Sequence, residues 1–144
     1  MSEPTFIEVT ASRQVSVEDI NRLLHQLSPN SSPIGERELE EIIHSADSHL
    51  FILREEAKVI GMATIAIYRT PTGRKAWLED VVVDEDFRGH QYGRLIVEKA
   101  LRYVEDMGDT TLMLTSRPQR VAANRLYQEC GFERKETNVY RMKL

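Results

Sequence analysis

The chain has 144 residues with nineteen basic and twenty-three acidic side chains, a net charge of −4, a balance that excludes a protein built to coat nucleic acid, whose basic surface supplies most of the affinity. Its single cysteine, Cys130, excludes an intrachain disulfide and a cysteine-based zinc site. Hydrophobic residues at 41 % and charged ones at 29 % are the proportions of one soluble domain over residues 1–144; with no basic, apolar leader at Met1–Pro4 and no apolar run longer than Val59–Tyr68, a cytoplasmic protein without membrane contact is expected.

Thr5–Thr10 is rich in β-branched residues and predicts a first strand. Ser16 is placed to cap a helix, and Val17, Ile20, Leu23, Leu24 and Leu27 follow at helical spacing. Ser28–Gly35 is a loop by composition, and Leu39, Ile42, Ile43 and Ala46 mark a second helix. His49–Arg54 and Val59–Tyr68 read as strands about a polar turn, with Gly61 as a bulge. Lys75–Asp84 is a strand ending in Val81-Val82-Val83. A helix carrying Tyr92, Ile96, Val97, Ala100, Val104 and Met107 follows, stopped by Gly108. Thr110–Thr115 is a strand, and Pro118 opens a last helix that Gly131 closes. Two short strands, near Phe132 and over Val139–Met142, complete the order β-α-α-β-β-β-α-β-α-β-β. The hairpin connections imply antiparallel pairs and the Lys75–Thr115 unit a parallel one, so the fold class is α/β: a mixed, mostly antiparallel sheet flanked by helices.

The densest chemical signal is Asp84-Glu85-Asp86-Phe87-Arg88-Gly89-His90-Gln91-Tyr92-Gly93-Arg94, where a buried strand hands over to a helix. A helix N-terminus offers unpaired N–H groups and partial positive charge, and glycines let the backbone close on an anion. The stretch therefore predicts a phosphate site made largely of main-chain donors. It matches neither G-x-x-x-x-G-K-S/T nor G-x-G-x-x-G.

Val81-Val82-Val83-Asp84 followed by Arg88-Gly89-His90-Gln91-Tyr92-Gly93-Arg94-Leu95 resembles the acetyl-CoA motif of the GNAT superfamily of N-acetyltransferases, Q/R-x-x-G-x-G/A after an apolar strand. Arg88 fills its first position and Gly93 its last, while Gln91 stands where glycine is most frequent. Ala123-Asn124-Arg125-Leu126-Tyr127-Gln128-Glu129-Cys130-Gly131-Phe132 is similar to a second element of the same superfamily, A-x-x-F/L-Y-x-x-x-G-F. Together the two motifs span residues 77–133, and the order of elements matches the superfamily from end to end. Leu78-Glu79-Asp80-Val81-Val82-Val83 resembles the corresponding run of glucosamine-6-phosphate N-acetyltransferases, small members that acetylate an amino sugar.

The resemblance implies an acetyl-CoA-dependent N-acetyltransferase that works by direct transfer in a ternary complex, with acetyl-CoA as cosubstrate and no metal. It implies cofactor contacts from Val81, Val82, Val83, Arg88, Gly89, His90, Gln91, Tyr92, Gly93, Arg94, Asn124 and Tyr127. The N–H of Val81 would face the thioester oxygen, where a donor matters most. Tyr127 would be the general acid toward the departing sulfur, and a phenol of pKa about 10 suits a thiolate whose conjugate acid lies near about 8.5. Glu79 would take the amine proton, directly or through water. Arg120 and Arg125 join Arg88 and Arg94 at the cofactor end, which an acidic chain binding a polyanion requires. His25, His44, His49 and His90 lack metal-ligand spacing, and Cys130 lies on an apolar helical stripe. The expected acceptor is a small-molecule primary amine. A peptide or protein amine, and a non-catalytic acyl-CoA-binding or sensing domain, are the alternatives, and the resemblance allows a homodimer.

Overall fold

The computed structural model describes residues 3–144. In chain order it has strand β1 (Thr5–Glu8), a 3-10 turn (Ser12–Gln14), helices α1 (Val17–Leu27) and α2 (Glu36–His44), strands β2 (Ser48–Glu55), β3 (Lys58–Thr70) and β4 (Gly73–Val83), a second 3-10 turn (Glu85–Phe87), helix α3 (Tyr92–Glu105), strand β5 (Thr111–Met113) and helix α4 (Val121–Glu129). The sheet order is β1-β2-β3-β4-β5. The first three pairs are antiparallel and β4–β5 is parallel, the mixed α/β arrangement that the hairpin and crossover spacing predicts. Among the described residues no helix is long and apolar enough to cross a membrane.

Local chemistry sets the ends of these elements. The Ser16 hydroxyl accepts from the N–H of Asp19 at 3.1 Å, satisfying one of the orphan donors of α1. Its apolar stripe then buries Ile20 and Leu23. Gly61 has a steric reason: a Cβ there would lie 3.0 Å from Ile96 Cδ1 and 3.1 Å from the carbonyl of Val82. Helix α3 therefore rests directly on the sheet at this point, and the β2–β3 register shifts beside it.

The sheet separates two apolar layers. On one side Leu53, Ile60, Ile65, Ala76 and Leu78 pack with Ile96, Val97 and Ala100 of α3 and Tyr127 of α4. On the other, Ile52, Val59, Met62 and Val82 lie under Ile20 and Leu23 of α1 and Leu39 of α2. A bulge in β4 governs which residue faces which layer. Glu79 pairs with Thr64 and Val82 with Met62, so Asp80 and Val81 share the space opposite Ala63. Asp80 absorbs the extra residue at φ +54. Before the bulge Ala76 and Leu78 face α3; after it Val81 and Val83 do, and Val82 turns to the opposite layer.

Three expectations need correction. Pro118 does not open α4: it occupies a turn in which the N–H of Arg120 donates to the carbonyl of Arg117 at 3.0 Å, and the helix starts at Val121. Strand β5 stops at Met113 instead of Thr115, because β4 diverges and leaves nothing to pair with. The two final strands do not form. Residues 132–144 carry no regular structure, and the polar run Glu133–Asn138 lies exposed without a neighbouring strand.

Candidate active site

The site begins with an opening between strands. The parallel ladder consists of Lys75 with Thr111, Ala76 with Leu112 and Trp77 with Met113. From Leu78 to Val83, β4 stays paired to β3 on one edge and has no partner on the other. Unpaired main-chain groups inside a protein call for a partner, and an extended ligand can supply one as a strand would. The hydroxyl of Ser116, in the segment that continues β5 past this divergence, is buried without a hydrogen-bond partner. Val81 and Val83 are half-buried and flank the opening, while Val82 points away from it into the α1–α2 layer.

The turn from β4 into α3 is clamped from behind. Asp84 is 2 % exposed. Its carboxylate accepts from the N–H of Asp86 at 3.0 Å and from Arg22 Nε at 3.1 Å. Burial alone would raise its pKa, but the Asp86 amide and the Arg22 guanidinium outweigh burial and hold it below the ordinary carboxylate range. Arg22 also donates to the carbonyl of Val59 at 2.6 Å, and Gln26 accepts from the N–H of Glu85 at 2.7 Å. Helix α1 thus fixes the point where the chain leaves the sheet.

Beyond the clamp, Arg88, Gly89, His90 and Gln91 are exposed. Gly89 has φ +88 and Gln91 φ +62, so Gln91 itself takes the left-handed conformation for which glycine is usual. No side chain caps α3, and its first internal bond runs from the N–H of Leu95 to the carbonyl of Gln91 at 3.1 Å. The N–H groups of Tyr92, Gly93 and Arg94 are left facing outward with the positive end of the helix dipole. A Cβ at Gly93 would meet only Leu126 Cδ2, at 3.8 Å, so the space above the turn is clear. These features fit a phosphate group held by main-chain donors.

The side chains of the turn pair within the protein. Arg94 is committed to Glu129 of α4 and reaches Glu98 at 3.9 Å. Tyr92 points its hydroxyl to Glu55 at 3.4 Å with the His90 ring beside it. Arg88 Nε donates to the carbonyl of Val83 at 3.2 Å.

Tyr127 stands on α4, 9 % exposed, in the cluster that contains Leu78, and Val81, Val83, Leu112 and Leu114 pack against that cluster. Its ring meets Phe132 edge-on at 6.1 Å. Among the described residues its hydroxyl makes no hydrogen bond. Burial raises its pKa and the nearby charge of Arg120 partly offsets this, so it is protonated at neutral pH. Asn124 is not a free donor: its Nδ2 donates to the carbonyls of Arg117 and Arg120, each at 2.8 Å, and so holds the turn that carries Arg120. Cys130 is half-buried, with its thiol pushed up mainly by burial, as befits a packing residue.

Glu79 lies on the face of β4 opposite Leu78, exposed, across from Thr64. Trp77 and Lys75 share that face, across from Ala66 and Tyr68, and Trp77 Nε1 donates to the Tyr68 hydroxyl at 2.8 Å. Asp80 does not simply alternate with Glu79, because the bulge falls on it. None of these face residues belongs to either apolar cluster, so this part of the sheet is uncovered. The clamp residues Arg22, Gln26 and Asp84, and the orphan hydroxyl of Ser116, escaped the sequence reading. A Ser or Asp at a strand end is common, and the Arg22–Asp84 contact bridges 62 positions. Among the described residues no group of His, Cys, Asp and Glu is arranged to hold a metal ion.

The acetyltransferase (GNAT) family model matches residues 17–132, which includes every side chain of the opening, the turn and α4. The chain is 29 % identical over 142 residues to glucosamine 6-phosphate N-acetyltransferase of Arabidopsis thaliana, covering 92 % of this chain and 91 % of that one. The solved structure of that plant protein superposes with a TM-score of 0.75 at 24 % identity, over 98 % of this chain and 99 % of the other. An aminoglycoside N-acetyltransferase solved in complex with CoA superposes with a TM-score of 0.78 at 20 % identity, over 99 % and 97 %. With the diverging strands, the uncapped turn and the buried tyrosine all inside the matched span, this chain belongs to the GNAT acetyltransferase family.

Proposed function

We propose that this protein transfers an acetyl group from acetyl-CoA directly to the primary amine of a small molecule, with an amino sugar as the favoured acceptor class. The observation that carries the reading is the opening between β4 and β5, which has Tyr127 on its α4 side and Glu79 on the uncovered face. Acetyl-CoA, when bound, supplies the activated acyl carbon and a thiol leaving group. The main-chain donors at Tyr92–Arg94 hold its diphosphate, and the unpaired edge of Leu78–Val83 holds the extended arm. The Val81 N–H donates to the acyl oxygen as charge develops there. Tyr127 keeps its proton at neutral pH because burial raises its pKa, and delivers it to the sulfur with no protein acceptor competing for it. Glu79 accepts the amine proton, directly or through water. Holding both reactants in one complex supplies the remaining advantage.

The uncovered face supports a small polar acceptor. In one row of β4 it offers a cation, an indole and a carboxylate at Lys75, Trp77 and Glu79. An aminated sugar ring can lie on the indole with its nitrogen toward Glu79. The similarity to the plant glucosamine 6-phosphate enzyme points the same way. The test is thiol release from acetyl-CoA over a panel of amino sugars, polyamines, aminoglycosides, amino acids and peptides, run with wild type and Tyr127→Phe. Turnover is expected on an amino sugar, falling by roughly 10²–10⁴ in the variant while acetyl-CoA affinity holds. Tight acetyl-CoA binding with no turnover on any amine would overturn the enzyme in favour of a sensor. Turnover on peptides alone would overturn the acceptor class.

A further inference from the structure

Tyr68 of β3 and Trp77 of β4 are diagonal neighbours on the uncovered face of the sheet, since Tyr68 pairs with Lys75 and Trp77 with Ala66. The short side chain of Ala66 leaves room for the indole to cross toward β3, where its Nε1 donates to the Tyr68 hydroxyl at 2.8 Å. That length is a full hydrogen bond, and it fixes the orientation of the indole. The bond uses Tyr68 only as an acceptor. The phenol's own O–H has no acceptor among the described residues, and the residue is 41 % exposed. Neither ring belongs to an apolar cluster, so core packing gives no reason for holding them in place. Tyrosine and tryptophan do, however, make a binding surface at low entropic cost, having two side-chain torsions each. Here that surface lies in line with Lys75 on one side and Glu79 on the other, each about 7 Å from Trp77 along the strand.

We infer that Tyr68 determines the acceptor class, an inference that rests on the acetyl-transfer reading above. Its hydroxyl holds Trp77 as a preset platform and donates its proton to an oxygen of a hydroxylated ring lying there. An amino sugar uses both features: a ring face meets the indole, and a ring or hydroxyl oxygen accepts from Tyr68. A linear polyamine has neither a ring face nor an oxygen, so it gains nothing from the hydroxyl. Tyr68 binds substrate without touching the reacting atoms. Its contribution is the same before and during the reaction, and removing it acts on KM and leaves kcat alone.

The test compares wild type with Tyr68→Phe and Trp77→Phe, using glucosamine and the linear polyamine spermidine. Trp77 is the chain's only tryptophan, so its emission reports this platform alone. With coenzyme A present and no acetyl group to transfer, glucosamine should change that emission saturably. Tyr68→Phe should raise the midpoint about tenfold, the scale of one neutral hydrogen bond. Spermidine, bound or not, should be indifferent to the substitution. In turnover, both variants should raise KM for glucosamine by a similar factor and leave KM for acetyl-CoA unchanged. Wild-type emission unmoved by glucosamine overturns the inference, even where turnover shows that the enzyme stands and takes its acceptor elsewhere. Equal losses for glucosamine and spermidine in Tyr68→Phe overturn it too, and so does a variant that binds glucosamine as wild type does. A Tyr68-dependent emission change without turnover on any amine upholds the platform and removes the enzyme instead.

Discussion

Gln91 illustrates how a residue can depart from a motif and still keep the geometry. At φ +62 it sits in the left-handed region, which costs a non-glycine residue about 1 kcal/mol. The exposed side chain has nothing to gain there, since it does not cap α3. Gln91→Gly should therefore relieve strain but add freedom to the unfolded chain, for a net change between zero and about 1 kcal/mol in favour of the fold. Urea unfolding measures this, and acetyl-CoA affinity by calorimetry should stay the same. A clear loss of stability would mean that the glutamine side chain makes a contact worth more than its strain. Residues whose placement depends on near neighbours in sequence were legible in this way: the glycines of the turn, and Tyr127 on its helix. Arg94 pairs with Glu129 on another helix, a contact that no local spacing announces. The Asn124 amide nitrogen turns back to the carbonyls of Arg117 and Arg120, a pairing that its place in the motif does not announce.

Between elements the decisive contact is α1 against the exit of β4. Asp84 joins Arg22, which also holds Val59 and Asp19, so one carboxylate fastens helix, sheet and turn. Asp84→Asn keeps the shape and removes the charge; leaving Arg22 without its buried counter-ion should cost about 1–3 kcal/mol at pH 7. The pH dependence has a definite sign. The folded carboxyl titrates below the ordinary value near 3.8, so its contribution is complete above that value and is lost as pH falls through the folded pKa. The gap between wild type and Asp84→Asn should be widest near neutrality and close in acid. A gap independent of pH from 7 to 3 would mean that the charge is not what holds the contact. The sequence located α1, with its cap and stripe, and the apolar run of β4, because each follows from local periodicity. It missed the Arg22–Asp84 link and the Asp80 bulge, because both answer to a packed neighbour and not to the residues beside them.

At the scale of the molecule, the antiparallel part of the sheet and the apolar layers followed from alternating and helical patterns in the chain. The last two strands did not, since the alternation over 139–144 is genuine but the segment pairs with no strand of the sheet. A pattern specifies which face of a strand is apolar and leaves open what pairs with its edge.

The short parallel ladder has one more consequence. Strand β5, the Arg117–Arg120 turn and α4 join the larger body through three residue pairs, the Arg94–Glu129 ion pair and the apolar contacts of α3 and α4. The cleft walls therefore coincide with a thinly laddered seam, and a cosubstrate lodged there would act as a rivet between its two parts. At a hundredfold excess over its dissociation constant it should add about 2.7 kcal/mol to the fold. Limited proteolysis of the free chain is expected to nick residues 114–120 first, and coenzyme A to suppress that cut more than any other. Equal protection everywhere would remove the seam from this account. With the cut suppressed, a ligand of the cleft sets how long each copy survives as well as what it does.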